Sequence, residues 1–187
     1  MLYHINQSIL PSTFCDEVIK EGEEKNISKA KIQEGNNANR SSDVSWLDKD
    51  KIGKSLTNLI MIANKESGWN YSLKEFEPLQ YTIYKEGDFY DWHIDSHAKS
   101  YDNGMIRKLS FTLCLNEDYE GGNFSVSSPH PISEKTKIET IDKPKKGTMI
   151  VFPSYTWHKV DKVTSGIRKT LVGWVVGKEW SYQNTLY

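Results

Sequence analysis

The segment GTMIVFPSYTWHKVDKVTSGIRKTLVGWVV, residues 147–176, contains three apolar runs that are rich in β-branched and aromatic residues. The runs are Thr148–Phe152, Thr156–Val160 and Ile167–Val176, and short segments with polar or turn-forming residues separate them. Short runs of this kind predict β-strands, and their close spacing is typical of sandwiches and barrels. The segment therefore predicts the closing strands of a β-fold.

Upstream of this segment, the same pattern predicts five more strands, punctuated by turn signals such as Glu86-Gly87 and Gly121-Gly122. About eight short strands in roughly a hundred residues favour a mainly β protein with flanking α-helices and a double-stranded β-helix core, the jelly-roll or cupin-like architecture. The five further runs are Leu79–Tyr84, Phe89–Asp95, Lys108–Asn116, Asn123–Val126 and Lys137–Ile141.

The N-terminal part of the chain predicts helical support for this core. Leu2–Leu10 has the pattern of a strand, and Pro11-Ser12-Thr13 opens a helix that should end near Glu24. Lys25–Val44 is polar and aperiodic, which indicates a loop or mobile lid, whereas about Lys49–Lys65 has the apolar spacing of an amphipathic helix. We expect one domain over residues 1–187, with support in about 1–75 and the core in about 76–180.

A candidate metal site comes from the order of three side chains. One residue separates His93 from Asp95, and residues i and i+2 of a strand share a face, so both can reach one ion. His158 supplies a third ligand, and two imidazoles with one carboxylate form the facial triad of non-haem Fe(II) oxygenases. His97 continues the series, but it lies beyond the strand end, where we expect it to face solvent or to support the ligands. Asp91 shares the parity of His93, but a second carboxylate would occupy an open position.

Arg168 follows His158 by ten residues and is the candidate anion-binding group. If the segment DKVTSG, residues 161–166, turns the chain back antiparallel, Arg168 returns to the depth of His158. A guanidinium there could hold a carboxylate with two parallel hydrogen bonds. Arg otherwise occurs only at positions 40 and 107 in a chain that uses Lys for most of its cations.

These residues resemble a known superfamily. The pattern of His-x-Asp, a distant His, an Arg ten residues later and Thr170 looks like that of the 2-oxoglutarate and Fe(II)-dependent dioxygenases. Within it, YKEGDFYDWHID, residues 84–95, resembles the Y-x-x-G-x-x-Y-x-x-H-x-D pattern of prolyl 4-hydroxylases. Residues 147–177 resemble the closing strands of their bacterial and viral relatives, so the likeness covers roughly Leu79–Gly177.

The resemblance implies a hydroxylase that uses Fe(II), 2-oxoglutarate and dioxygen, with ascorbate as a candidate stimulant. It assigns His93, Asp95 and His158 to the metal. Asp95 in particular implies hydroxylation, since related halogenases carry a small residue at this position. The expected substrate is a proline-containing peptide or protein. Residues implied for 2-oxoglutarate are Arg168, Tyr84 and Thr170, and candidates for the substrate pocket are Tyr90, Trp92, Trp174, Arg40 and Trp46.

Three alternatives remain open at this point. The protein could hydroxylate a free amino acid or another small molecule, or it could be a non-catalytic, cupin-like binding protein. A nucleic-acid dealkylase of the same superfamily would typically carry a second Arg six residues after Arg168, where this chain has Trp174. The net charge of -1 and pI of about 6.5 also argue against nucleic acid as a partner.

The remaining composition predicts a soluble, cytoplasmic protein. Cys15 and Cys114 are the only cysteines, which indicates buried thiols and not a disulfide framework. The N-terminus lacks the pattern of a signal peptide, and the longest apolar runs, such as LIMIA, are too short to cross a bilayer. We therefore expect no membrane partner, and the pattern leaves the oligomeric state open.

Overall fold

The computed structural model describes residues 1–30, 39–96 and 99–180, in which two helices and fifteen strands form. The helices are α1 Ser12–Glu23 and α2 Lys49–Glu66. The strands are β1 His4–Asn6, β2 Ser28–Lys29, β3 Arg40–Ser41, β4 Asp43–Leu47, β5 Glu75–Phe76, β6 Leu79–Tyr84, β7 Phe89–His93, β8 Met105–Cys114, β9 Tyr119–Gly121, β10 Phe124–Ser128, β11 Lys137–Ile141, β12 Met149–Pro153, β13 Trp157–Val160, β14 Val163–Gly166 and β15 Arg168–Lys178.

Both helices begin where the sequence offers a start signal. The side chain of Asp48 accepts a hydrogen bond of 2.7 Å from the backbone N–H of Asp50 and so caps α2, whereas Pro11 precedes α1. Apolar residues at helical spacing bury one face of each helix, and those of α2 include Ile52, Leu56, Ile60 and Ala63. In the described part of the chain, no helix combines the length and apolarity needed to cross a bilayer.

Two antiparallel sheets enclose the part of the core that matters for function. The major sheet has the order β1-β12-β8-β15-β6-β4-β2, with β5 beside β15, and the minor sheet has the order β11-β10-β13-β7-β3. One apolar cluster joins the inner faces of the two sheets, and it includes Tyr84, Ile150, Phe152, Phe124 and Val126. This arrangement agrees with the predicted jelly-roll core.

A second apolar cluster packs the helices on the outer face of the major sheet. It combines Cys15 and Val18 of α1 with Leu56 and Ile60 of α2, and with strand residues that include Tyr81, Phe111, Leu113 and Leu171. Side chains alternate along β6 and β15, so the strand residues that lie between the members of this cluster point into the space between the two sheets. The packing of the helices on one face of the major sheet therefore determines which residues of these strands face that space.

Both predicted helices and all eight predicted strands of the core are confirmed. The N-terminal strand is shorter than predicted, His4–Asn6 in place of Leu2–Leu10, because only these residues pair with β12. Part of the predicted loop Lys25–Val44 forms β2, β3 and the start of β4. Residues 31–38 lie outside the described residues, and the mobile lid stays a prediction.

The condition that the segment DKVTSG turns the chain back antiparallel is not met, because β13 and β15 lie in different sheets. Val163–Gly166 forms β14, which pairs with β9, and it carries the chain from β13 in the minor sheet to β15 in the major sheet. Pairing with a strand about forty residues earlier leaves no local signal in six residues. Cys15 and Cys114 are buried and unlinked, as expected.

We expect Gly22→Ala to destabilise the fold. A Cβ at Gly22 would lie 2.4 Å from the buried ring of Tyr81, and overpacking of this kind costs about 1–3 kcal/mol, more than the gain in helix propensity of up to about 1 kcal/mol. Chemical denaturation, monitored by circular dichroism, measures the change in the free energy of unfolding. Gly53→Ala in α2 is the matched control, because its Cβ would meet the partly exposed Phe76 at 3.2 Å; equal loss in both variants would contradict the packing argument.

Candidate metal centre and anion pocket

A cavity of about 600 Å³ lies between the two sheets and contains most of the predicted site residues. His93, Asp95 and His158 line it together with Arg168, Thr170 and Tyr84. This volume is within the range of about 300–1,000 Å³ that is usual for small-molecule sites. The candidate metal ligands and the candidate anion-binding group therefore share one space.

The three candidate ligands converge on one point. One potential ligand atom from each of His93, Asp95 and His158 lies within 4.8 Å of the others. The Nε2 atoms of His93 and His158 are 3.9 and 3.5 Å from the two carboxylate oxygens of Asp95. An ion with bonds of about 2 Å would fit among these atoms.

Backbone carbonyls orient both imidazoles. Nδ1 of His93 is 2.7 Å from the carbonyl of Asp91, and Nδ1 of His158 is 2.9 Å from the carbonyl of Thr156. A proton on Nδ1 that is donated to a carbonyl leaves the Nε2 lone pair free for a metal. Both Nε2 atoms point toward Asp95, so the tautomers suit coordination.

The charges at the site also suit a cation. Burial, helped by the electrostatic interaction with His158, lowers the pKa of His93 to about 3, so the imidazole is neutral at pH 7. Burial by itself would raise the pKa of Asp95, but its electrostatic interactions with His158, His93 and Arg107 lower it to about 2. Asp95 is therefore a carboxylate at pH 7, and metal ligation requires these two protonation states.

Asp95 does not lie on the strand that carries His93. β7 ends at His93, and the backbone N–H groups of Asp95 and Ser96 both donate to the carbonyl of Ser154 at 2.9 Å. Ser154 follows β12 in the major sheet, so a contact between sheets positions the carboxylate. His93 and Asp95 lie close together, as the predicted site requires. The argument from strand alternation was wrong, because only His93 belongs to β7.

A β-bulge in β7 decides which side chains of this strand face the cavity. Tyr90 pairs with Val160 and His93 pairs with His158, so β7 has one residue more than β13 between the two pairs. Tyr90 and His93 therefore face the same way, and their rings stack with centroids 3.5 Å apart. Asp91 is exposed, which agrees with its exclusion from the ligand set.

Trp92 does not line the cavity, so its prediction as a pocket residue was wrong. Its ring lies 5.3 Å from the Nζ atom of Lys159, which follows the inward-facing His158 on β13. The bulge reverses the alternation after Tyr90 and turns Trp92 to the outer side of the minor sheet. His97, the other residue discussed near this strand, lies outside the described residues.

Arg168 reaches the cavity from the major sheet. It opens β15 opposite Tyr84 of β6, and its guanidinium lies 5.4 Å from the centroid of the Tyr84 ring. The guanidinium also lies near the hydroxyl of Tyr119. Gly122, at φ +61°, allows this approach because a Cβ there would lie 2.8 Å from Cδ of Arg168. Arg168 thus shares the cavity with His158, but from the opposite sheet and not through a hairpin.

The surroundings of Arg168 suit a carboxylate ligand. Only 1% of the residue is exposed, and no carboxylate in the described part of the chain forms an ion pair with it. Its Nε atom and Oγ1 of Thr170 are buried without a hydrogen-bond partner among the described residues. Since an unpaired buried charge is costly, an anion is the expected partner. A dicarboxylate that also reached the metal would satisfy these donors, so the residues fit 2-oxoglutarate.

The mouth of the cavity carries the other candidate pocket residues. Trp174 is buried and Trp46 is half exposed, and their ring centroids are 6.3 Å apart. Arg40 lies over the ring of Tyr90 at 4.5 Å. Arg40, Trp46, Tyr90 and Trp174 all line the cavity, as predicted.

Arg107 is a cavity residue that the sequence did not reveal. It forms two hydrogen bonds of 2.9 and 2.7 Å with Glu77, and its guanidinium lies 4.0 Å from the Trp174 ring. A second β-bulge, at Lys108, shifts the pairing between β8 and β15 by one residue and turns Arg107 inward. The scarcity of Arg in the chain was the one signal that could have drawn attention to it.

Curated relatives match part of this chain. A "PKHD-type hydroxylase" from Synechococcus sp. (strain CC9311) is 43% identical over 93 residues, which are 49% of this chain and 37% of that protein. The chain thus corresponds to less than half the length of such relatives. Their names describe them as hydroxylases.

Solved structures show the same fold over nearly the whole chain. A Pseudomonas putida prolyl-4-hydroxylase has a TM-score of 0.69 at 20% identity and covers 96% of this chain and 93% of its own. A Trichoplax adhaerens prolyl hydroxylase, in complex with a peptide fragment of the hypoxia inducible factor oxygen degradation domain, has a TM-score of 0.70 at 19% identity. It covers 92% of this chain and 82% of its own. At these identities the likeness concerns the fold, and it confirms the jelly-roll core.

The family is identified by sequence over the region that builds the cavity. The family model described as "2OG-Fe(II) oxygenase superfamily" matches residues 79–176, more than half of the chain. The matched region runs from β6 to β15 and contains the His-Asp-His cluster and Arg168. The chain belongs to the 2OG-Fe(II) oxygenase superfamily.

Proposed function

We propose that this protein is a 2-oxoglutarate-dependent Fe(II) hydroxylase and that its substrate is a prolyl residue in a peptide or protein. The observation that carries the proposal is one cavity that combines a His-Asp-His cluster with a buried guanidinium lacking a carboxylate partner in the described chain. A metal-binding barrel without turnover has no need for the second feature. The superfamily supplies the chemistry that links the two.

Each residue has a distinct task in this proposal. His93, Asp95 and His158 would hold Fe(II), which supplies the activation of dioxygen and the oxidation of a C–H bond when 2-oxoglutarate and substrate are bound. Arg168 would bind the distal carboxylate of 2-oxoglutarate, and Thr170 would donate its hydroxyl to the same group. Tyr84 lines the cavity beside Arg168, and the buried surroundings of both residues would keep water away from the ion pair.

The walls at the mouth suit an apolar ring with polar neighbours. Trp174 and Trp46 provide aromatic surface, and Arg107, held by Glu77, lies over Trp174 on the side of Asp95. A pyrrolidine ring could pack against such a surface. The name of the relatives supports a hydroxylase, and the peptide complex of the Trichoplax protein supports a peptidyl substrate.

The proposal predicts oxygen transfer to proline-containing peptides. Purified protein with Fe(II), 2-oxoglutarate and ascorbate should form succinate and add one oxygen atom, seen as a mass shift, to members of a proline peptide library. Peptides in which alanine replaces proline are the matched control. Equal shifts in both sets would contradict prolyl specificity, oxidation of free amino acids alone would favour a small-molecule hydroxylase, and no succinate with any substrate would favour a non-catalytic protein.

We expect His158→Ala to weaken metal binding by at least about 100-fold, because loss of a ligand exceeds the 10–100-fold effect of losing a group behind one. Titration with Mn(II), followed by electron paramagnetic resonance, measures the affinity without turnover. His130→Ala is the matched control, since His130 lies on a loop beside Trp157 and outside the cavity. Unchanged binding in His158→Ala, with loss in His97→Ala, would show that the wrong histidine has been assigned.

We expect Arg168→Ala to weaken 2-oxoglutarate binding about thirty-fold or more, since truncating one partner of a buried charge pair costs roughly 2–5 kcal/mol. Arg168→Lys should recover part of the affinity, because the charge remains while the fork geometry is lost. Anaerobic titration of the metal-loaded protein with 2-oxoglutarate measures this affinity. The affinity for Mn(II) serves as the control, because Arg168 is not a metal ligand. Equal 2-oxoglutarate affinity in wild type and Arg168→Ala would rule out this role.

A further inference from the structure

All three arginines of the chain line the same cavity, whereas no lysine does so among the described residues. Arg107 is neutralised by its two hydrogen bonds with Glu77, and Arg168 is assigned above to 2-oxoglutarate. Arg40 has neither kind of partner. No carboxylate in the described part of the chain lies within ion-pair distance of it.

The guanidinium of Arg40 is held in one position by three contacts. Its Nε donates to the hydroxyl of Ser42 at 2.8 Å, and its Nη2 donates to Oε1 of Gln80 at 2.9 Å. The group also lies over the Tyr90 ring, which itself stacks on His93. Since Arg40 belongs to the minor sheet and Gln80 to the major sheet, the side chain spans the mouth of the cavity. These contacts therefore fix the position of the charge relative to the metal centre.

The charges of the loaded site leave Arg40 without a counterpart. The two charges of Fe(II) and the one of Arg168 are matched by Asp95 and the two carboxylates of 2-oxoglutarate, and Glu77 matches Arg107. Asp95 is the one carboxylate that lines the cavity among the described residues. One positive charge thus remains at the mouth, with all the ligands of the ion and the co-substrate in place.

We propose that Arg40 binds a carboxylate of the substrate, so that the enzyme selects a prolyl residue that carries an anionic group next to it. This inference rests on the proposed function and names its substrate class. Two sources supply such a group: the side chain of an adjacent acidic residue, or the α-carboxylate of a proline at a chain end. A partly buried guanidinium with two of its five N–H donors already engaged offers the remaining N–H groups and its charge to either one.

The test measures binding and not turnover. Wild-type protein loaded with Mn(II) and 2-oxoglutarate without oxygen is titrated with short acetylated peptide amides that carry glutamate or glutamine immediately before or after proline. Intrinsic tryptophan fluorescence, to which Trp46 and Trp174 at the mouth contribute, reports binding. We expect glutamate peptides to bind about tenfold more tightly than glutamine peptides, the effect of one hydrogen bond between charged groups. A peptide with a free C-terminal proline, compared with its amide, identifies the second source.

Variants of Arg40 assign the preference to this residue. Arg40→Gln should abolish it, Arg40→Lys should retain part of it, and Arg40→Glu should favour peptides with lysine at the same position. Lys159→Gln is the matched control, because it removes one positive charge from the outer side of the same sheet and should leave the preference unchanged. Circular dichroism spectra confirm folding, and Arg40→Lys carries the test if Arg40→Gln fails to fold.

The outcomes separate this inference from the proposed function. Wild-type protein without an acidic preference, whether because both peptides bind equally or because neither binds, overturns the role of Arg40. A preference that survives in Arg40→Gln overturns it as well. In contrast, absence of 2-oxoglutarate binding to the same metal-loaded wild-type protein contradicts the proposed function, while an Arg40-dependent preference would still establish an anion site at the mouth.

Discussion

The burial of the Arg168 guanidinium is the constraint on which the rest of the site depends. Removal of such a charge from water costs several kcal/mol unless an opposite charge or hydrogen bonds compensate it. Here the ring of Tyr84, the hydroxyl of Tyr119 and the close approach at Gly122 hold the group, but no carboxylate of the described chain neutralises it. The buried positive charge of Arg168 is therefore not compensated by a carboxylate of the described chain. Binding of a dicarboxylate would compensate this charge and stabilise the fold at the same time.

The site exists only where the two sheets meet. The minor sheet supplies both histidines, and the major sheet supplies Arg168, Thr170 and Tyr84. Asp95 joins the two, since its backbone N–H bonds to Ser154 at the end of β12. The apolar cluster around Phe124, Ile150 and Phe152 holds the sheets together behind the cavity. Packing and chemistry are thus coupled, because a shift of one sheet against the other would separate the metal ligands from the anion-binding group.

Two β-bulges adapt a regular jelly roll to this purpose. The bulge in β7 places Tyr90 and His93 on one face, so the ring of Tyr90 stacks on the imidazole of His93 and also contacts the guanidinium of Arg40. The bulge at Lys108 turns Arg107 toward Trp174. Each one shifts side-chain alternation by one residue, and each lies beside the cavity, where a strand must present neighbours that ideal alternation would send to opposite faces.

The sequence by itself determined the helices, the eight core strands, the candidate ligands His93, Asp95 and His158 and the candidate anion group Arg168. Hydrophobic period, cap residues and ligand chemistry are local properties, so they can be read without knowledge of distant contacts. Only the tertiary structure decided that Trp92 faces outward, that Arg107 faces inward, that Asp95 lies beyond its strand and that residues 163–166 pair with β9. These features depend on the register between strands that are distant in the sequence. A one-residue shift in that register moves every later side chain to the opposite face, and no local pattern records it.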